Sequence, residues 1–319
     1  MALPAHAPDR PPAGRPTVLF VDDEERILRS LRMMFARDYK VLSTTSGHEA
    51  IDLLRGERVH ALVSDQRMPI MPGVELLRQA RQVSPNTMRL LLTGYSDFES
   101  VAGSINEGEI FRFVSKPWNA DEFRATVAKA VDIAQQLELP EVPVARAGGA
   151  SGEEGILVID DDPGTVDLVR SVVEAHQPGR HRVDWAADVE TVLRVLEERE
   201  IAVVVSEVRL GGEDITELIK SLKRHQPHIV ALALTGYQDS AMLIHLINQA
   251  QIHRYMLKPV RPNTTLRAIE SGLERHRALK SSPRLTSRHQ VEVMPSTTAH
   301  SAVAKRILGF FRNLAPRPN

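Results

Sequence analysis

The chain has 319 residues, a formal net charge of -1 and no cysteine, which is room for two ordinary domains with a core each. That charge balance gives no global field toward nucleic acid or an anionic membrane, and the missing cysteines exclude disulfides, thiolate catalysis and cysteine-ligated metal. No apolar run approaches the roughly 18 residues of a membrane span, and the first ten residues lack a secretory signal's apolar core, so the expected location is cytoplasmic.

The proline-rich start, residues 1–13, has almost nothing to bury and is expected to be a disordered arm. Thr17–Val21 reads as a buried strand that ends on Asp22 and Asp23, and Ile27, Leu31 and Met34-Phe35 follow at helical spacing. Lys40–Thr44 is a short strand and Gly47–Leu54 a helix. Ala61–Ser64 is a strand running into Asp65, and Met68-Pro69 and Pro72-Gly73 turn the chain toward a helix over Val74–Gln82. Met88–Leu92 is a strand ending at Thr93-Gly94, and Ser96–Asn106 is a helix. Arg112–Ser115 is a strand ending at Lys116-Pro117, and Asn119 with Glu122 reads as a capping box for the helix after it. Five strands alternating with five helices predict a parallel sheet covered on both faces.

Residues 140–152 lose all periodicity and are expected to be a linker. The pattern then restarts. Ile156–Ile159 ends on Asp160, Asp161 and Asp162, and strands over Arg182–Ala186, Ile201–Ser206 and Val230–Leu234 alternate with helices. Thr235-Gly236-Tyr237 repeats Thr93-Gly94-Tyr95, and Lys258-Pro259 repeats Lys116-Pro117. Asp65 to Thr93 and Glu207 to Thr235 are both 28 positions, and Thr93 to Lys116 and Thr235 to Lys258 are both 23. Equal spacings over half a domain mark a tandem duplication. The expected class is α/β, two doubly wound (βα)5 flavodoxin-like parallel-sheet domains over 14–139 and 153–280. Residues 281–297 are expected to be disordered, and 298–319 to be a basic amphipathic segment with Val303, Ile307, Phe310, Phe311 and Leu314 on one face.

In such a sheet the carboxyl ends of the strands converge on one crevice. The first copy would bring three carboxylates there (Asp22, Asp23 and Asp65), together with the Thr93 hydroxyl and the Lys116 ammonium. Clustered carboxylates repel one another unless a cation neutralises them, and an all-oxygen set without cysteine or histidine suits Mg²⁺. Asp65 could then attack a phosphorus atom, Lys116 balance the product's charge, and Thr93 bond a phosphoryl oxygen. Taken singly, paired Asp residues are more often helix caps, Thr-Gly a turn and Lys-Pro a loop; their joint occurrence at successive strand ends is what favours a site.

Both copies resemble the response-regulator receiver family of bacterial two-component signalling. The first carries its whole motif in Val21-Asp22-Asp23-Glu24, Ser64-Asp65-Gln66-Arg67-Met68-Pro69, Leu92-Thr93-Gly94 and Ser115-Lys116-Pro117. The resemblance implies Asp65 as phosphoacceptor, with Asp23 and Asp65 on Mg²⁺ directly, Asp22 through water and the Arg67 backbone carbonyl completing the ligands. It implies Thr93 and Phe113 as a pair that shifts on phosphorylation, and a histidine kinase or phosphotransfer protein as donor. In the second copy Asp160, Asp161, Thr235, Tyr255 and Lys258 match the pattern, but Glu207 stands at the acceptor position. A carboxylate displaced by one methylene is a poor in-line nucleophile, so this copy is expected not to be phosphorylated. Glu207 would be a structural remnant paired with Lys258, a mimic of a phosphorylated Asp, or a metal ligand.

The leading expectation is a response regulator with no DNA-binding or enzymatic output domain, signalling through protein contacts to a downstream effector, with a homodimer left open. It is not an enzyme beyond its own phosphorylation and dephosphorylation, and sequence-specific nucleic-acid binding is not expected. Two alternatives stand beside it. An Asp-nucleophile phosphatase would want Asp-x-Asp after its first strand, which Val21–Glu24 lacks. A membrane- or nucleic-acid-tethered adaptor would use 281–319, which carries six Lys or Arg and one Glu.

Overall fold

The computed structural model describes residues 14–94, 110–138, 154–236, 240–259, 261–282 and 285–286. The expected arm 1–13, the Ser96–Asn106 helix, the 140–152 linker, most of 281–297 and the segment 298–319 lie outside the described residues.

The first half forms β1 (Thr17–Val21), β2 (Lys40–Thr44), β3 (Ala61–Asp65), β4 (Met88–Thr93) and β5 (Arg112–Ser115), all parallel and ordered β2-β1-β3-β4-β5. β1 and β3 are buried at every position, which is why they read as unbroken apolar runs rather than alternating ones. Successive residues still face opposite layers. Val18 and Phe20 pack with α1 (Glu25–Phe35) and α4 (Ala120–Glu138), where Phe20, Phe35 and Phe123 meet with ring centroids 5.0–6.5 Å apart. Leu19 and Val21 pack with α2 (Gly47–Gly56) and α3 (Gly73–Val83). Of the expected capping box before α4, one arm forms: the Asn119 Oδ1 accepts from the backbone N–H groups of Asp121 and Glu122 at 2.9 and 3.2 Å.

The second half repeats the design with β6 (Gly155–Ile159), β7 (Val183–Ala186), β8 (Ile201–Ser206), β11 (Val230–Thr235) and β12 (Arg254–Leu257), ordered β12-β11-β8-β6-β7. Its helices are α5 (Pro163–His176), α6 (Val189–Glu198), α7 (Thr216–His225), α8 (Ser240–His245) and α9 (Pro262–Ser281). Asp162 and Asp188 accept backbone N–H bonds and cap α5 and α6, and Pro163 fills the first turn of α5. The tandem doubly wound class predicted from the sequence is therefore the class observed.

Two local features of the second half stand out. After β8 the chain makes a small antiparallel hairpin, β9 (Arg209–Leu210) with β10 (Glu213–Asp214), turning on Gly211 and Gly212 at φ +59° and +85°. Two consecutive positive φ values are what a tight two-residue hairpin turn requires, and glycine adopts them without steric cost. The first half has Pro69-Ile70 there instead, with Ile70 at φ +70° and 93% exposed. The second is a π-helical turn over Leu246–Ala250 that continues α8 and stops at Gln251, whose φ is +51°.

Candidate functional site at the strand ends

Neighbouring strands β1, β3 and β4 end side by side, and each leaves one polar residue at the edge of a buried layer. Asp22, Asp65 and Thr93 are all at most 5% exposed. Lys116 comes to them from the end of β5, its backbone N–H donating to the Thr93 carbonyl at 2.9 Å. Its Nζ lies 2.5 Å from Asp65 Oδ1 and 3.0 Å from Asp22 Oδ2, so one ammonium bridges two carboxylates. The remaining oxygens are held by backbone. Asp65 Oδ2 accepts the Arg67 N–H at 2.8 Å, and Asp22 Oδ1 accepts the Glu24 N–H at 2.9 Å.

The electrostatics follow from this sharing. Burial pushes the Asp22 carboxyl above its ordinary value, helped by the neighbouring Asp65 charge, although the Glu24 N–H and Lys116 pull the other way. Burial works against the Lys116 ammonium, but hydrogen bonds and charge from Asp65 and Asp22 outweigh it and hold its pKa above that of an ordinary lysine. One cation for two desolvated carboxylates leaves the pocket short of positive charge.

Backbone packing fixes the Asp65 position. A Cβ placed on Gly73 would stand 2.1 Å from the Asp65 carbonyl oxygen and 2.7 Å from Leu91 Cδ1. The start of α3 thus lies directly against the end of β3, an approach only glycine permits. Gln66 ties the same corner: its carbonyl accepts the Gly73 N–H at 3.1 Å, and its side chain accepts the Val74 N–H at 3.2 Å. Gln66, Gly73 and the exposed Ile70 were not singled out from the sequence, although Pro72-Gly73 after a strand is a legible turn signal.

Of the other predicted residues, Asp23 is exposed, and Phe113 is buried three positions before Lys116, paired in register with Leu91 rather than placed in the pocket. The Thr93 hydroxyl donates to the Gly94 carbonyl at 3.1 Å. Among the described residues no group of three or more acidic or histidine side chains converges closely enough to hold a metal ion. The charge between Asp22 and Asp65 is that of Lys116. The donor set nevertheless has the hard oxygen chemistry of a magnesium site, and the raised pKa of buried Asp22 marks a carboxylate that a second cation would relieve.

The second half reproduces the bridge with a longer acid. Lys258 Nζ lies 2.7 Å from Asp160 Oδ2 and 3.0 Å from Glu207 Oε2. As at Lys116, burial opposes the charge while Asp160 and Glu207 hold the pKa of Lys258 up. The extra methylene lets Glu207 fold back, so that Oε1 accepts the N–H of the next residue, Val208, at 2.8 Å. Asp65 instead reaches the residue two positions on. Thr235 and Tyr255 are buried like Thr93 and Phe113. The Asp161 Oδ2 accepts the N–H of Gly211 at the hairpin tip at 3.4 Å, so the loop that departs from the repeat rests on this site's own acid.

A fold of this order with a lysine-bridged acid pair at the strand ends defines a doubly wound α/β module with its candidate site at the carboxyl edge of the sheet. The family model for the response regulator receiver domain matches residues 18–128 and 156–270, together well over half of the chain. The chain belongs to that family, with two receiver-like domains in tandem. It is similar to the hydrogenase transcriptional regulatory protein HoxA of Bradyrhizobium diazoefficiens, 39% identical over 117 residues, which are 37% of this chain and 24% of that protein. It is also similar to sporulation initiation phosphotransferase F of Bacillus subtilis, 28% identical over 113 residues, 35% of this chain and 90% of that one. The signal receiver domain of an HD domain-containing protein from Pseudomonas fluorescens Pf-5 is 32% identical, with a TM-score of 0.39, over 41% of this chain and 97% of that one. The chain thus matches about a quarter of the length of HoxA.

Proposed function

We propose that the first domain accepts a phosphoryl group on Asp65 from a histidine kinase or phosphotransfer protein, and that the chain signals by changed protein contacts. The observation that carries this reading is the bridge from Lys116 to both Asp65 and Asp22 at the ends of three strands. An Asp65 oxygen attacks the donor's phosphorus in line, the donor's bond to phosphorus breaks, and an acyl phosphate forms. Lys116, already charged and beside Asp65, balances the dianion that results. Thr93 offers its hydroxyl to a phosphoryl oxygen. A magnesium ion held by Asp22, Asp23, Asp65 and the Arg67 carbonyl would neutralise charge on the transferring group. Asp22 and Lys116 orient the acid whether or not the ion is bound.

The second domain carries Glu207 as a remnant acid and takes no phosphate. This is supported by its 3.0 Å pair with Lys258 and its turn back onto Val208. Among the described residues no helix is long and apolar enough to cross a membrane, and a cytoplasmic location accords with a kinase-fed switch. The similarity to sporulation initiation phosphotransferase F, of which 90% is covered, supports a phosphotransfer role. Incubation of the full chain with acetyl phosphate and Mg²⁺ tests the reading. A single acid-stable, base-labile label at Asp65 is expected. Sustained release of phosphate without a stable label would replace the signalling role with that of a phosphatase.

A further inference from the structure

Among the described residues β5 is the outer strand of the first sheet and pairs only with β4. An outer strand leaves every second residue's N–H and C=O directed away from the sheet, where they need a partner or water. At Phe113 that partner comes from the second domain. The Phe113 N–H donates to Asn248 Oδ1 at 2.9 Å, and Asn248 Nδ2 donates to the Phe113 carbonyl at 2.9 Å. A carboxamide is a peptide group in miniature, one donor beside one acceptor, so Asn248 acts as a one-residue extension of the sheet. The Phe113 side chain is buried in a cluster that also holds Ile219, Leu243 and Ile247 of the second domain.

Two features indicate that this contact is poised. Asn248 sits in the middle of the π-helical turn Leu246–Ala250, which closes on the left-handed Gln251, a geometry that is retained only where the surroundings enforce it. The Gln251 carbonyl accepts from the ammonium of Lys223, which is wholly buried with the charges of Arg275 and, from the first domain, Arg112 directed against it. The junction thus rests on the two Asn248 hydrogen bonds and on a buried lysine bonded to the last carbonyl of the turn.

We propose that the second domain is the built-in reader of the first domain's phosphorylation site: Asn248 holds β5 in the register that delivers Lys116 to Asp65, and a phosphoryl group on Asp65 loosens that hold. The inference rests on the phosphorylation of Asp65 proposed above. The mechanical path is short. Phosphorylation extends the anion beyond the Asp65 oxygens, Lys116 follows it, and Lys116 is three residues from Phe113 on the same strand. A shift of about 1 Å at β5 takes a pair of 2.9 Å contacts out of hydrogen-bonding range on at least one side. Coupling is reciprocal: whatever frees β5 from Asn248 also favours the phosphorylated form.

Hydrogen exchange of the β5 amides, measured by mass spectrometry on the full chain before and after acetyl phosphate with Mg²⁺, tests this. In the wild type, exchange at Phe113 should rise by about tenfold on labelling, the net worth of a lost hydrogen bond. Asn248→Ala should show the fast exchange without phosphodonor, gain no more on labelling, and hold a larger fraction of Asp65 phosphorylated at steady state than wild type. Asn248→Asp retains the acceptor for the Phe113 N–H but loses the donor, and should fall between the two. Asn248 is only half-buried, so neither variant threatens the fold. Normal labelling of Asp65 with unchanged or slower Phe113 exchange would overturn the reader role and leave the phosphorylation reading standing. So would labelling of Asn248→Ala to the wild-type steady-state fraction. Absence of any label on Asp65 would overturn both.

Discussion

Gly73→Ala probes the acceptor corner without touching an ionisable group. The added methyl would stand 2.1 Å from the Asp65 carbonyl oxygen, 2.7 Å from Leu91 Cδ1 and 2.9 Å from the Asp65 carbonyl carbon. Cβ atoms essentially never approach closer than 3.0 Å, so roughly 1 Å of movement must be found between α3 and β3. Neither can move alone, because β3 is fully buried and hydrogen-bonded to both β1 and β4. Overpacking of this kind costs about 1–3 kcal/mol, and the backbone contact places this site at the upper end. A displacement of about 1 Å at a nucleophile can also cost about 100-fold in rate. Denaturant titration and the initial rate of acetyl phosphate labelling would read the two effects. Gly56→Ala is the control, since a Cβ there meets nothing within 4 Å and should leave both measurements near wild type. Wild-type stability together with wild-type labelling in Gly73→Ala would refute the claim that this contact sets the Asp65 position.

Further expectations follow from the second site, the buried lysine and the strained loop. Glu207→Gln leaves Lys258 with Asp160 alone; about 1–2 kcal/mol of stability should be lost while Asp65 labelling is unchanged, and reduced labelling would mean that the two sites are coupled through this pair. Burial, then the charges of Arg275 and Arg112, lower the Lys223 pKa to about 7 from 10.5, so between those values the unfolded chain binds the extra proton. Stability should therefore rise with pH across that window, by at most ~1.4 kcal/mol per pH unit, and guanidinium melts of Lys223→Met at pH 7 and 9 should lose the rise. An identical slope in the variant would show that Lys223 is not the group responsible. Ile70 holds a left-handed φ of +70° with a β-branched side chain and is almost fully exposed; Ile70→Asn should raise the denaturation midpoint by the equivalent of about 1 kcal/mol, and a lowered midpoint would show that the side chain packs usefully.

The fold was largely legible because each central strand is buried on both faces and ends on a polar residue, so the same punctuation that marked the elements also marked the site. Asp22, Asp65, Thr93 and Lys116 stand at strand ends in both readings. The element edges differ by a residue or two: Asp65 and Thr93 belong to their strands because each is still paired in register, with Leu92 and Ser115 respectively. The β9–β10 hairpin was missed although Gly211-Gly212 is a two-residue hairpin signal, because two-residue arms carry too little apolar alternation to read as strands. Asn248 had no signal at all. One amide among three in the stretch 248–251 gains its meaning from a partner 135 positions away, and hydrophobic periodicity cannot register that separation. The placement of Lys116 between the two acids, rather than an open carboxylate cluster, likewise depends on a side-chain conformation that spacing does not encode.

The most direct test of the account is the number and position of phosphoryl groups on the full chain after saturating acetyl phosphate with Mg²⁺, read by mass spectrometry on wild type and Asp65→Ala. One group per chain, mapped to Asp65 and absent from Asp65→Ala, is the predicted result. A label that persists in Asp65→Ala, or one found on Glu207 or Asp160, would contradict it.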